Sequence, residues 1–170
     1  YDSLKSYNRN AVSPIWSNPY MTLRERNNQI FSNSALLNGK LTYHFYDWLS
    51  LDVVLGLNLN NSKTAFLNND WLSPGNPGSG QGQNESYTFQ NSNILTFHKK
   101  FNEKHDLTIV GLEEASTNKY SSFNASGSGL SSTSNGYYNL GLNSSQSISS
   151  TYSNWALLSF MGSVSYSFEG

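Results

Sequence analysis

From Leu49 to Leu59 the chain places a large aliphatic side chain at every second position: Leu49, Leu51, Val53, Leu55, Leu57 and Leu59. Ser50, Asp52, Val54, Gly56 and Asn58 fill the gaps. Successive side chains of a β-strand point to opposite faces, so this period of two predicts an extended strand with one apolar and one wet face. Just before it, Leu37, Gly39, Leu41, Tyr43 and Phe45 alternate in the same way with Asn38, Lys40, Thr42 and His44. Only Tyr46, Asp47 and Trp48 lie between the two runs, which predicts a β-hairpin of long strands with aromatics around a tight turn. Strands of ten or more residues, apolar on one side and aromatic at the end, have the pattern of a transmembrane barrel wall.

The composition fits a wall better than a thick core. Charged residues make up 12% of the 170 residues, about half the share usual in soluble domains, while aromatics reach 14%. Alternating strands average out in hydropathy, so the negative mean hydropathy of -0.51 does not argue against a membrane. No run approaches the roughly 18 apolar residues that a spanning helix requires. A formal net charge of -1 gives no electrostatic case for nucleic acid. The lack of cysteine excludes disulfide scaffolds and thiolate metal sites.

Along the chain the expected fold is all-β, an antiparallel meander of about five long strands, with residues 1–170 forming one piece of barrel. Residues 1–25, with Pro14 and Pro19, read as a leading loop. Strands are expected over 28–45, 49–66, 86–101, 106–120 and 151–168. The turn formers of 67–85 and the serine, glycine and asparagine of 121–150 read as long loops. Short turns near Asp47 and Glu103 thus alternate with long loops, as short periplasmic turns alternate with long extracellular loops in outer-membrane barrels. Leu51, Val53, Leu55 and Leu57 on one strand, and Leu158, Phe160, Val164 and Tyr166 on another, are expected to face lipid. Asp52, Asn58, Ser163 and Ser165 are expected to face the lumen. Both ends of the chain read as cut from something longer.

Tyr43, Phe45, Trp48, Phe97, Phe101, Tyr166 and Phe168 fall near the proposed periplasmic strand ends, where amphipathic rings favour the headgroup level. They are read as a structural aromatic girdle. Trp71, Tyr137 and Tyr138 lie in the long loops instead, where rings can stack on sugar faces, and are the candidates for substrate contact. His44, His98 and His105 are scattered without ligand spacing, so no metal site is expected. Glu113 and Glu114 are adjacent and so face opposite ways on a strand, which does not suit an acid/base pair. No nucleophile, base and orienting group assemble, so neither an enzyme nor a cofactor is expected.

Several segments together resemble the SusC/RagA-type TonB-dependent outer-membrane transporters of Bacteroidetes. These are Asn18-Pro19-Tyr20, Gly39-Lys40-Leu41-Thr42-Tyr43 followed by Asp47-Trp48-Leu49-Ser50-Leu51, and Leu95-Thr96-Phe97-His98-Lys99-Lys100-Phe101 before His105-Asp106-Leu107-Thr108. Further on come Ser126-Gly127-Ser128-Gly129-Leu130 before Tyr138-Asn139-Leu140, and the run from Leu157 to Phe168. The resemblance implies part of a barrel of about 22 strands in the cell outer membrane. It also implies uptake of oligosaccharides (glycans) or peptides, a SusD-like surface lipoprotein as partner, and TonB acting through a plug region that this segment lacks. No substrate-binding residue is carried over. Two other readings of the residues stay open at this point: a soluble carbohydrate-binding β-sandwich and a small complete outer-membrane barrel.

Overall fold

The computed structural model describes residues 19–169. A short helix, α1 (Pro19–Glu25), precedes five strands: β1 (Asn27–Tyr46), β2 (Leu49–Asn68), β3 (Gly78–Phe101), β4 (His105–Leu130) and β5 (Asn143–Phe168). They form one antiparallel sheet in the order β1-β2-β3-β4-β5, so every strand pairs with its neighbour in sequence. The expected meander is therefore the observed fold. Among the described residues no helix is long and apolar enough to cross a membrane.

The strands outrun the alternation that marks them. β3 begins at Gly78, inside the expected 67–85 loop, and β4 and β5 both extend into the expected 121–150 loop. Those extensions are rich in Gly, Ser and Asn, which have low intrinsic strand preference. They are strands because paired neighbours satisfy their backbone, on both sides for β3 and β4 and on the β4 side for β5. The expectation of a loop as far as residue 25 is corrected for its last part, since Pro19–Glu25 is helical. Proline suits a helix's first turn, where its missing N–H is no loss, and Met21 and Glu25, one helical turn apart, are both buried. Residues 1–18 lie outside the described ones.

Tertiary contacts divide the chain into two compact units. The wall unit comprises Asn33–Asn61, Glu85–Ser121 and the segment from Tyr152 onward. Within it the facing side chains are polar on one side: Thr42 donates to Asp52 at 2.5 Å, Thr88 accepts from Asn118 at 2.8 Å, and His98 lies 2.9 Å from Asp106. Ser92 donates to Glu114 at 3.3 Å, again even-numbered to even-numbered. Lys40 adds an ion pair to Asp52 at 3.0 Å. The odd-numbered positions of β1 to β4, including Leu49 to Leu59, lie on the other face. The two tight turns close this unit, one at 47–48 and one at 102–104. Asn102 and Glu103 both take left-handed backbone (φ 49° and 60°), the pair of positive angles that matches the twist of hairpin strands.

The loop unit comprises residues up to Ser32 together with Ser62–Asn84 and Ser122–Thr151. It is stitched by polar contacts. Buried Asn143 donates to Ser79 at 3.1 Å and to the Leu140 carbonyl at 2.9 Å, and Leu130 N–H donates to the Pro77 carbonyl at 2.9 Å. Asn69 donates to Glu25 at 2.8 Å, while its own side-chain oxygen accepts from the Trp71 N–H at 3.1 Å, tying α1 to the turn after β2. Gly80 and Gly82 of β3 admit close neighbours: a Cβ on Gly80 would strike the Phe66 ring, and one on Gly82 would strike Asn124 and Thr64. Glycine here makes room for side chains of the adjacent strands.

Candidate functional site: a ringed wall and an aromatic cleft

Each of the seven aromatics expected in a girdle belongs to the wall unit, close to a turn or to the end of β5, and each meets another ring or a cation. Tyr43 and Phe45 meet edge to face at 4.9 Å, and Trp48 packs edge-on against Phe97 at 5.4 Å. Lys99 sits over both the Trp48 and Phe101 rings, 5.5 Å from each centroid, a cation–π arrangement. Tyr166 and Phe168 converge on His105, with the His105 Nδ1 2.7 Å from the Tyr166 hydroxyl and the Phe168 ring centroid 5.0 Å away. Three partners escaped the sequence reading: Tyr46, which stacks on Trp48 at 4.9 Å, Lys99 and His105. Their signal was position alone, since each flanks a turn within reach of the rings already singled out.

The contact of Tyr166 and Phe168 with His105 fixes a phase. Asp106, the next residue, meets His98 on the wet side, so His105 and its two aromatic partners lie on the opposite face. Glu113 and Glu114 part as the sequence requires, Glu114 toward Ser92 and Glu113 toward Asn93 at 3.5 Å. Asn93 also donates to Asn91 at 2.9 Å, so a small self-bonded polar patch interrupts the face that carries Leu51 and Leu95. The charged pairs nearest the turns are exposed, such as Lys104 with Glu169 at 2.8 Å, and exposed pairs contribute little to stability.

The loop unit holds a cleft of about 340 Å³ whose walls include Phe31, Lys63, Gln83, Phe123, Tyr137 and Tyr138. Tyr137 is its fixed element, only 7% exposed: its hydroxyl donates to the Gln29 side-chain oxygen at 2.5 Å, and its carbonyl accepts from Gln81 at 2.5 Å. Its hydroxyl contact with Tyr138, and then its partial burial, raise the Tyr137 phenol above the ordinary tyrosine range. Tyr138 is 80% exposed, with its ring 4.6 Å from that of Tyr137 and tilted by 42°. The structure thus brings Tyr137 and Tyr138 together. Trp71 does not line their cleft. No group of three or more metal-ligating side chains occurs among the described residues.

Comparison with solved structures gives the architecture a precedent. The chain superimposes on the structure of the RagAB peptide transporter with a TM-score of 0.80, at 23% identity, over 96% of its length. It matches the same peptide importer in the open-open state with a TM-score of 0.80 over 96% of its length, and in the closed-closed state with 0.79 over 90%. It shares the fold of the part of these structures that it covers. The resemblance to SusC/RagA-type proteins drawn from the sequence thus holds in the fold, and the soluble sandwich is set aside. The chain spans only 17–18% of the length of these structures. No family model matches the sequence, and no curated protein matches it.

Proposed function

We propose that these strands form part of the barrel of a TonB-dependent outer-membrane transporter that imports oligosaccharides or peptides with a SusD-like surface lipoprotein. The observation that carries this reading is the superposition of almost the whole chain on RagAB, named a peptide transporter, joined to a sheet polar on one face and apolar on the other. In this reading the face bearing Leu51, Leu55, Tyr166 and Phe168 meets lipid and the face bearing Asp52, Gln90 and Glu114 lines the lumen. Tyr43, Phe45, Trp48, Phe97, Phe101, Tyr166 and Phe168 form the periplasmic girdle, with Lys99 and His105 presenting polar groups among the rings. The segment builds wall and outer loops. Energy coupling through TonB belongs to the plug of the complete transporter, and the host is a Bacteroidetes-like Gram-negative cell. Catalysis has no place in it.

The test is uptake by cells carrying the full-length gene against cells lacking it, with fluorescent oligosaccharides and oligopeptides supplied separately. Import of either class that disappears on deletion of the gene or of TonB supports the reading. Unchanged uptake of both classes overturns it.

A further inference from the structure

We propose that Asn33, Asn61 and Glu85, a polar row across β1, β2 and β3, mark where the hydrocarbon of the membrane's outer leaflet ends. The proposal rests on the transporter reading above, in which the odd-numbered face of these strands meets lipid. All three residues belong to the wall unit, as does the stripe they terminate. Asn61 donates to Glu85 at 3.1 Å, so these two lie side by side on one face. The register that joins Thr42 to Asp52 sets Asn33 beside Asn61 in the same way. On β2 the residues of this phase from Leu49 to Leu59 are all aliphatic, and Asn61 is the first that is not. On β3, Tyr87 and Phe89 separate Glu85 from the self-bonded pair Asn91 and Asn93.

Length is the first argument for lipid. Asn33, Asn61 and Glu85 each stand twelve residues from the ring-bearing end of their strand, at Phe45, at Leu49 beside Trp48, and at Phe97. Twelve residues of strand rise about 40 Å, or about 28 Å along the membrane normal at a tilt of about 45°. The hydrocarbon core of a bilayer is about 30 Å thick, and the apolar band of such barrels about 25 Å tall. Neither a soluble partner nor a second sheet requires that length. The order of chemistry across the row is the second argument. A notch of about 360 Å³ has Ala35, Leu59 and Tyr87 on the side toward the turns and Asn33, Asn61 and Glu85 on the other. Hydrocarbon, then amide and carboxylate, is the order met on leaving a bilayer. Asn118 donates to Thr88 at 2.8 Å, so Tyr87 and Lys119 are neighbours on the face opposite that bond. An amphipathic ring and a long-stemmed cation one step inside the boundary keep their bodies in hydrocarbon while their polar tips reach the headgroups.

The test uses the full-length transporter in phospholipid vesicles, with a nitroxide label on a single introduced cysteine. Relaxation by molecular oxygen, which partitions into hydrocarbon, is compared with relaxation by a water-soluble nickel complex. At Leu41→Cys and Leu55→Cys oxygen is expected to dominate several-fold. At Leu59→Cys the excess shrinks, and at Asn61→Cys and Asn33→Cys the nickel complex equals or exceeds oxygen. The two row positions report separately, so where a label at Asn61 prevents assembly, Asn33 decides. Oxygen dominance persisting along the row, or nickel already dominant at Leu59, overturns the boundary and leaves the wall reading standing. Nickel dominance at Leu41 and Leu55 as well overturns both.

Discussion

Met21, Leu130, Tyr137 and Asn143 are buried within the loop unit, whereas no described residue of the wall unit is. The contrast runs against intuition, because the wall unit holds the long aliphatic stripe and the loop unit holds the glycine, serine and asparagine. A single sheet has no second layer, so its apolar side chains cannot bury one another. The wall keeps its order through the ladder and depends on its surroundings to cover the stripe. The loop unit pins its own segments to one another with hydrogen bonds at Asn143, Asn69 and Tyr137. Apolar content and self-burial are therefore separable, and here they fall to different parts of one chain.

The sharpest way to break that contrast is to isolate the 170 residues in water. With Leu41, Leu55, Phe160 and Val164 exposed and two sheet edges open, the segment is expected to associate, since such a face far exceeds the few hundred Å² that monomers tolerate. Analytical ultracentrifugation without detergent checks it, and a monodisperse, cooperatively unfolding monomer would contradict it. Next in size, Leu55→Arg in the full barrel is expected to cost about 2–4 kcal/mol in a liposome folding titration, with Ser163→Arg tolerated far better. Equal costs would dissolve the distinction between the faces.

In the loop unit the expected effects follow packing. A Cβ at Gly127 would lie 2.5 Å from both Asn143 Cβ and the Ser145 carbonyl oxygen, so Gly127→Ala is expected to cost about 1–3 kcal/mol. Faster hydrogen exchange near Asn143, with the wall unit unchanged, is the signature. Smaller still, Tyr137→Phe removes the bond to Gln29 and is expected to cost about 1 kcal/mol. A raised phenol pKa also means that the folded state holds its proton more tightly than the unfolded chain. The stabilisation from that source is present below pH 10, the ordinary tyrosine value, and fades as the pH rises through the folded value. An alkaline titration of loop-unit exchange should show this in the wild type and not in Tyr137→Phe.

How legible each unit was in the sequence follows from the same contrast. β2 could be read from Leu49 to Leu59, and the turn at 47–48 from the aromatics that flank it, because one-sided burial writes a period of two. β3 before Glu85 could not, because Gly78, Gly80 and Gly82 are turn formers by composition and are held in the strand by pairing, with Phe66 over Gly80 and Asn124 over Gly82 filling the space a side chain would need. The end of β4 and the start of β5 were hidden for a related reason, their serines and asparagines being held by pairing. Helix α1 left a trace in Pro19 followed by Met21, Leu23, Arg24 and Glu25, but seven residues are too few for periodicity to stand out. The aromatic candidates were legible as types and places. That Tyr137 would be fixed by Gln29 and Gln81 depends on chain segments far apart in sequence, which no local pattern records.

The order β1-β2-β3-β4-β5 has a further consequence, for assembly. When every strand pairs first with the one before it, the ladder can grow in the direction of synthesis, each arriving strand capping the edge left by the last. Closing such neighbours costs little loop entropy at the two tight turns, so the hairpins centred near Asp47 and Glu103 are the natural starting points and pairing spreads from them. The same order makes the hairpin the unit of change over evolutionary time. A barrel built this way can gain or lose a pair of strands, or exchange one long loop for another, without rerouting the rest of the chain.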